Sequence, residues 1–250
     1  MKILMSNLGY MRGINGGLSH HFYYAHRHFY CSIPAQKKSL RQLISIIENE
    51  DPDICCFVEI DKGSSDSANF NQLSELVNEK YSFSDGENKY GQTSRLRSLP
   101  FSKGKSNAFI AKQNFDYEKI YFTHGTKRLI YKIILDKNTT LFFTHFSLKK
   151  NVRVHQLLQV RQLLHETSGD VILLGDFNII SGFGELTPLL HENNLRLLNE
   201  EHTPTFTFHK IKKAIDLCIC SENIAHNLEL KIIPQPYSDH SALLLEINHG

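Results

Sequence analysis

The sequence predicts an α/β protein whose mixed sheets are covered by helices. Three observations carry that expectation: short apolar runs of strand length, amphipathic stretches of helical spacing between pairs of them, and a hairpin turn between two others. Continuous apolar runs fit strands covered on both faces, and a helix between two strands implies a crossover connection.

Taken in order, Ile3-Leu4-Met5 reads as a buried strand that stops at Ser6-Asn7-Leu8-Gly9, where polar residues and a glycine mark a turn. Residues 38–49 place Leu40, Leu43, Ile44 and Ile47 at helical spacing, and Asp51-Pro52-Asp53 ends that helix before the strand Ile54-Cys55-Cys56-Phe57-Val58. A second amphipathic stretch carries Leu73, Leu76 and Val77, and the polar segment 82–106 is predicted as a loop. Strands resume at residues 107–111, 129–135 and 141–146, the last two joined by the turn Asp136-Lys137-Asn138. Val154, Leu157, Leu158 and Leu164 mark a helix, and strands at 171–174, 215–220, 230–233 and 242–247 complete the pattern. No repeat, low-complexity tract or linker breaks the chain, so residues 1–250 are expected to form one domain.

Lys and Arg number 28 against 26 Asp and Glu, a formal charge of +2, which excludes a histone-like arm, a polyacidic tail and a globally basic binder. Any basic surface must be local. No apolar run reaches the length of a membrane span, and the opening seven residues are too short for a secretory core, so a cytoplasmic monomer is expected. The five cysteines are odd in number and include no C-x-x-C pair, which fits reduced, buried thiols.

The informative pattern is where the polar residues stand. Asn7 follows the first strand, Glu59 follows Phe57-Val58, His145 follows Leu141-Phe142-Phe143-Thr144, and Asp176 and Asn178 follow Val171-Ile172-Leu173-Leu174-Gly175. Asp216 stands within Ile215-Asp216-Leu217, and Ser238-Asp239-His240-Ser241 precedes the final strand. Alone, each is an ordinary turn former, a solvated strand end or half of an ion pair. Their joint order is specific, and Gly175-Asp176-Phe177-Asn178 followed by Ser238-Asp239-His240 is its most specific part.

That ordered set, spread over essentially the whole chain, resembles the endonuclease/exonuclease/phosphatase superfamily. These are Mg-dependent phosphoesterases that include DNase I-like nucleases, apurinic endonuclease-like enzymes, inositol polyphosphate phosphatases and neutral sphingomyelinases. The resemblance implies a four-layer α/β sandwich: two mixed β-sheets face to face, helices outside, and the site at one edge.

The chemistry accounts for the residue types. A phosphodiester is an anion and a poor electrophile, so its oxygens must be neutralised, a water oriented in line and the leaving alkoxide stabilised. Mg²⁺ prefers oxygen ligands and keeps several waters, so one or two carboxylates suffice; Glu59 is the expected ligand, Asn7 its neutral partner, and Asp239 a ligand to the same or a second ion. Mn²⁺ is an alternative metal. In D-x-N on extended chain the two side chains share a face, so Asp176 can orient or deprotonate the attacking water while Asn178 donates to a phosphoryl oxygen. His145 and His240 would bracket the phosphate. The resemblance implies that Asp216 orients His240 and keeps it charged.

Asn7 and Glu59 are separated by 59 − 7 = 52 positions, wider than the resemblance implies, so the chain carries an insertion at about residues 10–36. It includes His20-His21-Phe22-Tyr23-Tyr24-Ala25-His26-Arg27-His28-Phe29-Tyr30. Four readings stand: a wall that stacks on bases, a lip on lipid headgroups, a transition-metal site of histidines, or an ordered cap over the site. Basic residues cluster at Arg95, Arg97, Lys103 and Lys105; at Lys149, Lys150 and Arg153; and at Lys210, Lys212 and Lys213. Lys149, Arg153, Lys212 and Lys213 flank motif residues and are the expected substrate contacts.

The chain has no Trp and offers Ile211-Lys212-Lys213-Ala214 where apurinic endonuclease-like members carry a Trp and an Arg, which disfavours abasic-site repair. The helix after His145, with Arg153 and Gln156, is more similar to the nuclease, deadenylase and sphingomyelinase branches. The sequence therefore predicts a metal-dependent phosphodiesterase, with nucleic acid favoured as substrate over a lipid headgroup. A lipid enzyme would expose an apolar lip at residues 18–30, whereas a nuclease would carry a basic groove from Lys149 to Lys213. A binding module on an inactive scaffold is the alternative from another class, and the filled motif positions argue against it.

Overall fold

The computed structural model describes residues 1–192 and 194–248. Two six-stranded mixed sheets face each other. The first holds β1 (Lys2–Asn7), β2 (Ile54–Asp61), β3 (Phe83–Asn88), β4 (Lys105–Ala111), then β13 (Leu228–Ile233) and β14 (Ala242–Ile247), in the order β13-β14-β1-β2-β4-β3. The second holds β5 (Tyr117–Tyr121), β6 (Leu129–Ile134), β7 (Thr139–His145), β8 (Asp170–Asp176), β9 (Leu195–Leu197) and β12 (Asp216–Ser221), in the order β5-β6-β7-β8-β12-β9. A separate two-stranded ribbon joins β10 (Phe206–Phe208) to β11 (Ile211–Lys213).

The pattern of side chains dictates the layers. Along β1, Ile3 and Met5 point into the space between the sheets, where they join Val58, Phe109, Phe143, Leu174 and Leu245. Leu4 points the other way, against Leu40, Leu43 and Ile47 of α2 (Ile33–Glu50). On the far side, α3 (Lys150–His165) lays Leu157, Val160 and Leu164 on Phe142, Leu173 and Leu217. Central strands are thus covered on both faces, which is why they read as continuous apolar runs. β1 and β2 run parallel, connected through α2, and β7 and β8 run parallel, connected through α3. The expected four-layer sandwich is the observed one. All five cysteines are buried and free. Among the described residues no helix is long and apolar enough to cross a membrane.

Two expectations need correction. The segment 82–106 is not all loop, because residues 83–88 form the edge strand β3. Its sequence Phe-Ser-Asp-Gly-Glu-Asn has little intrinsic strand preference and is held by pairing with β4. Leu73 and Leu76 lie in turns rather than a helix, although both are buried against the α2 side of the first sheet. The insertion contains α1 (Leu18–Tyr24), a 3-10 turn at Ala25–His28 and the start of α2, which begins at Ile33 with a proline in its first turn. The short helix α4 (Thr187–Glu192) lies on the α3 side, and residue 193 lies outside the described residues.

Candidate active site

Register brings the motif residues to one edge. His145 ends β7, Asp176 ends β8 and Asp216 begins β12; His145 is the parallel partner of Asp176, and Asp176 the antiparallel partner of Asp216. Three functional side chains therefore stand in a row across the second sheet. The first sheet contributes Asn7 at the end of β1, Glu59 near the end of β2, and Asp239 and His240 from the turn before β14.

Glu59 reaches the rim through a bulge. The pairing of β2 with β4 slips between Phe57 and Ile60, and Glu59 takes a left-handed φ of 56°. The irregularity breaks the strict in-out alternation that would otherwise aim this carboxylate into an apolar layer. Asp61, two residues on, is buried and paired with Lys105 Nζ at 2.7 Å.

The acids and histidines form one network. Asn7 Nδ2 donates to Asp176 Oδ2 (3.0 Å) and lies 3.3 Å from His240 Nε2, while Asn7 Oδ1 accepts from Gly9 N (3.1 Å). Asp176 Oδ2 is 3.1 Å from His145 Nε2, and Asp176 Oδ1 accepts from Asn178 N (3.0 Å). Asn178, at φ 54°, spends one amide hydrogen on Phe146 O (3.0 Å). His240 Nδ1 is 2.7 Å from Asp216 Oδ2, and Thr205 Oγ1 accepts from the backbone N–H groups of both Ile215 and Asp216.

The electrostatics separate the two histidines. Burial alone would discharge His240, but the carboxylates of Asp216, Asp176 and Asp239 overcome it and push the imidazole well up, so it is charged at neutral pH. Burial, reinforced by the Lys127 ammonium, lowers His145 to about 4 and keeps it neutral. Burial would raise Asp176, yet His145, His240 and Lys127 carry it down to about 2. Asp176 is thus a firmly ionised acceptor, suited to orienting a water.

Three residues at this site have no signal in the sequence. Tyr10 Oη donates to Glu59 Oε1 (3.3 Å), and Lys89 Nζ and Lys127 Nζ lie 3.5 and 3.8 Å from the same oxygen. Lys127 Nζ also touches His145 Nε2. A backbone bond from Arg128 N to Lys89 O (2.7 Å) sets the two lysines side by side. Although burial pushes Glu59 up, Lys89, Lys127 and His145 hold it well below the usual carboxylate range.

The donor set fits a hard divalent cation. The Tyr10, Lys89, Lys127 and His145 contacts fall on Glu59 Oε1, Asn7 Oδ1 keeps a lone pair beyond Gly9 N–H, and Asp239 is raised by burial and then by facing carboxylates that include Glu59. A cation between such acids relieves their repulsion. Asp176, Asp216 and His240 also bring one ligand atom each within 4.8 Å of one another, but Asp216 Oδ2 faces His240 Nδ1, both Asp176 oxygens accept from neighbouring donors and the charged His240 has no lone pair to give, which leaves only Asp216 Oδ1 without a protein partner. We read that trio as a hydrogen-bonded relay. The histidines of residues 20–28 form no comparable cluster among the described residues.

Arg153 is corrected. It is buried, forms a two-pronged pair with Glu185 (3.0 and 2.9 Å from Nη2, 3.1 Å from Nε), and donates to the carbonyls of Ser147 and Leu148. It fastens α3 to the 3-10 turn at Phe183–Leu186 and is not free to meet a substrate. Arg153→Ala leaves the largely covered Glu185 carboxylate with Ser181 as a donor but no counter-charge, and denaturant unfolding is expected to show a loss of about 2–3 kcal/mol. Lys149, Lys212 and Lys213 are exposed.

A sequence model of the endonuclease/exonuclease/phosphatase family matches residues 14–240. The chain belongs to that family. Its members are phosphoester hydrolases, nucleases among them, and generally depend on a divalent metal. Solved structures share this fold. The endonuclease domain of TRAS1, a telomere-specific non-LTR retrotransposon, matches with a TM-score of 0.60 at 16% identity, covering 99% of this chain and 98% of that one. D. rerio TDP2 complexed with a single strand DNA product matches with a TM-score of 0.65 at 16% identity, covering 100% and 99%. A family protein from Leptotrichia buccalis matches with a TM-score of 0.65 at 17% identity over 100% of both chains. Comparison with curated protein sequences finds no match.

Proposed function

We propose that this family member is a divalent-metal-dependent phosphodiester hydrolase acting on nucleic acid. The observation that carries the reading is the single network of Asn7, His145, Asp176, Asp216 and His240, set beside an ionised Glu59. Asp176 accepts a hydrogen bond from the attacking water and orients it in line with the phosphorus. His240, held by Asp216 through Nδ1, presents Nε2 to a non-bridging oxygen as charge builds there. Asn178 keeps one amide hydrogen for the same phosphoryl group, and Lys127 adds a fixed positive charge beside it. Glu59, with Asn7 and Asp239, would hold Mg²⁺ or Mn²⁺, which when bound polarises the phosphoryl oxygens and neutralises developing charge.

Nucleic acid is supported by two features: exposed Lys149, Lys212 and Lys213, and the shared fold with TDP2, whose structure holds a single strand DNA product. A lipid headgroup is the second reading, favoured by one specific feature, an exposed apolar lip at residues 18–30. Plasmid DNA, single-stranded RNA and sphingomyelin, each incubated with Mg²⁺ and with EDTA, rank these substrates. Metal-dependent cleavage of either nucleic acid is expected, and cleavage of sphingomyelin alone would replace nucleic acid with lipid. Glu59→Gln removes the anionic ligand, so the Mg²⁺ concentration for half-maximal rate is expected to rise. An unchanged metal titration would remove Glu59 from the metal site.

A further inference from the structure

Two acid-free stretches meet beside the catalytic rim: residues 1–47 and residues 202–215 contain no Asp or Glu. From the first come α1 and the 3-10 turn that follows it, and from the second comes the ribbon β10-β11. His209 N donates to Gly16 O (2.7 Å), and the His21 ring packs edge-on against Phe208 (4.8 Å between centroids) and His209 (5.0 Å). Gly16 has a φ of +77°, and a Cβ there would lie 1.8 Å from Thr207 O, so the two segments seat directly on one another. The ribbon is tied to the site in turn. Thr207 N donates to Asp239 O (2.8 Å), and the Phe206 ring lies 4.9 Å from that of His240.

The exposed side chains of this assembly are largely apolar and basic. Leu18 and Phe22 stand one turn apart on α1, Phe22 is 82% exposed, and Phe29 is 85% exposed. Tyr23, Tyr30 and Ile211 are also exposed, and Ile211 stands between the exposed Lys210 and the exposed Lys212 and Lys213. Monomeric proteins rarely leave so many large apolar side chains together in water without a partner.

We propose that this lip is an interfacial anchor that docks the protein on an anionic phospholipid bilayer, with aromatic tips in the headgroup layer and lysines on the lipid phosphates. The charge fits, since neither stretch contains a carboxylate to repel the surface. The exposure distinguishes a bilayer from single-stranded nucleic acid. A base-stacking platform keeps one ring face against the protein, whereas Phe22 and Phe29 protrude nearly whole, and Leu18 and Ile211 offer no π-face. The docking stands on the lip alone.

The chain has no Trp, so Phe29→Trp supplies a single indole reporter. Its emission is expected to shift to the blue with vesicles of phosphatidylcholine and phosphatidylglycerol in equal parts, and to stay unshifted with phosphatidylcholine alone. Co-sedimentation of the unmodified protein with the mixed vesicles is expected to weaken about tenfold or more in Phe22→Ser/Phe29→Ser, since a fully buried Phe contributes about 1.5–3 kcal/mol. A melting temperature for that variant shows that it is folded. Absence of the shift, or sedimentation unchanged in the folded double variant, overturns the anchor, as does quenching of the indole by a single-stranded oligonucleotide with vesicles inert. Hydrolysis of bis-p-nitrophenyl phosphate by the same preparation is scored separately. Turnover without vesicle binding overturns the anchor only, and vesicle binding without turnover overturns the hydrolase reading only.

Discussion

Asp176→Asn is expected to lower turnover by about two to four orders of magnitude with the fold intact. The substitution keeps the volume and removes the charge. Asp176 accepts from Asn7 Nδ2 and Asn178 N on its two oxygens, so a carboxamide must turn its NH₂ towards one of these donors. The water it orients loses its strongest acceptor, and His240 loses one of the three carboxylates that keep it charged. The kcat on bis-p-nitrophenyl phosphate reads the effect, and the melting temperature of the same sample shows that the fold survives. A variant as fast as the wild type would remove Asp176 from the site.

His240→Ala is expected to cost about two to three orders of magnitude in kcat, the scale of losing one preorganised donor to developing charge. Asp216→Asn tests the role of the pair more finely. The charged imidazole is the working form, so its contribution is present below its raised value and is lost as pH rises through it. Asp216 is the largest of the influences raising that value, at 2.7 Å from Nδ1. Without it, the alkaline limb of the pH-rate profile moves down towards the ordinary imidazole range, and activity missing at neutral pH is partly regained on acidification. A limb that stays in place would deny Asp216 its orienting role.

Much of this site is legible in the sequence because its residues stand at strand ends. Asn7, His145 and Asp176 each follow an apolar run, and once the strands pair in register they share an edge. The bulge at Glu59 is not legible: the residue is, but its left-handed backbone is set by pairing with β4. β3 was hidden for a related reason, since an edge strand with Asp85, Gly86 and Glu87 is made by its neighbour rather than by its own preference. Tyr10, Lys89 and Lys127 reach the site from turns and loops far apart in the chain, which no local pattern records. Arg153 misleads in the opposite direction. Beside Lys149 and Lys150 it reads as a solvated basic face, and only the fold brings Glu185 to it.

The charge pattern suits chemistry on an anionic substrate: a firmly ionised Asp176, a charged His240 and a neutral His145 within one hydrogen-bonded network. The central claim is that this network hydrolyses phosphodiesters with a divalent metal. Its most direct test is the rate of bis-p-nitrophenyl phosphate hydrolysis by the wild type in EDTA and again after titration with Mg²⁺ or Mn²⁺. The predicted result is negligible turnover in EDTA and saturable recovery with metal. Turnover indifferent to EDTA, or none at any metal concentration, would contradict the account.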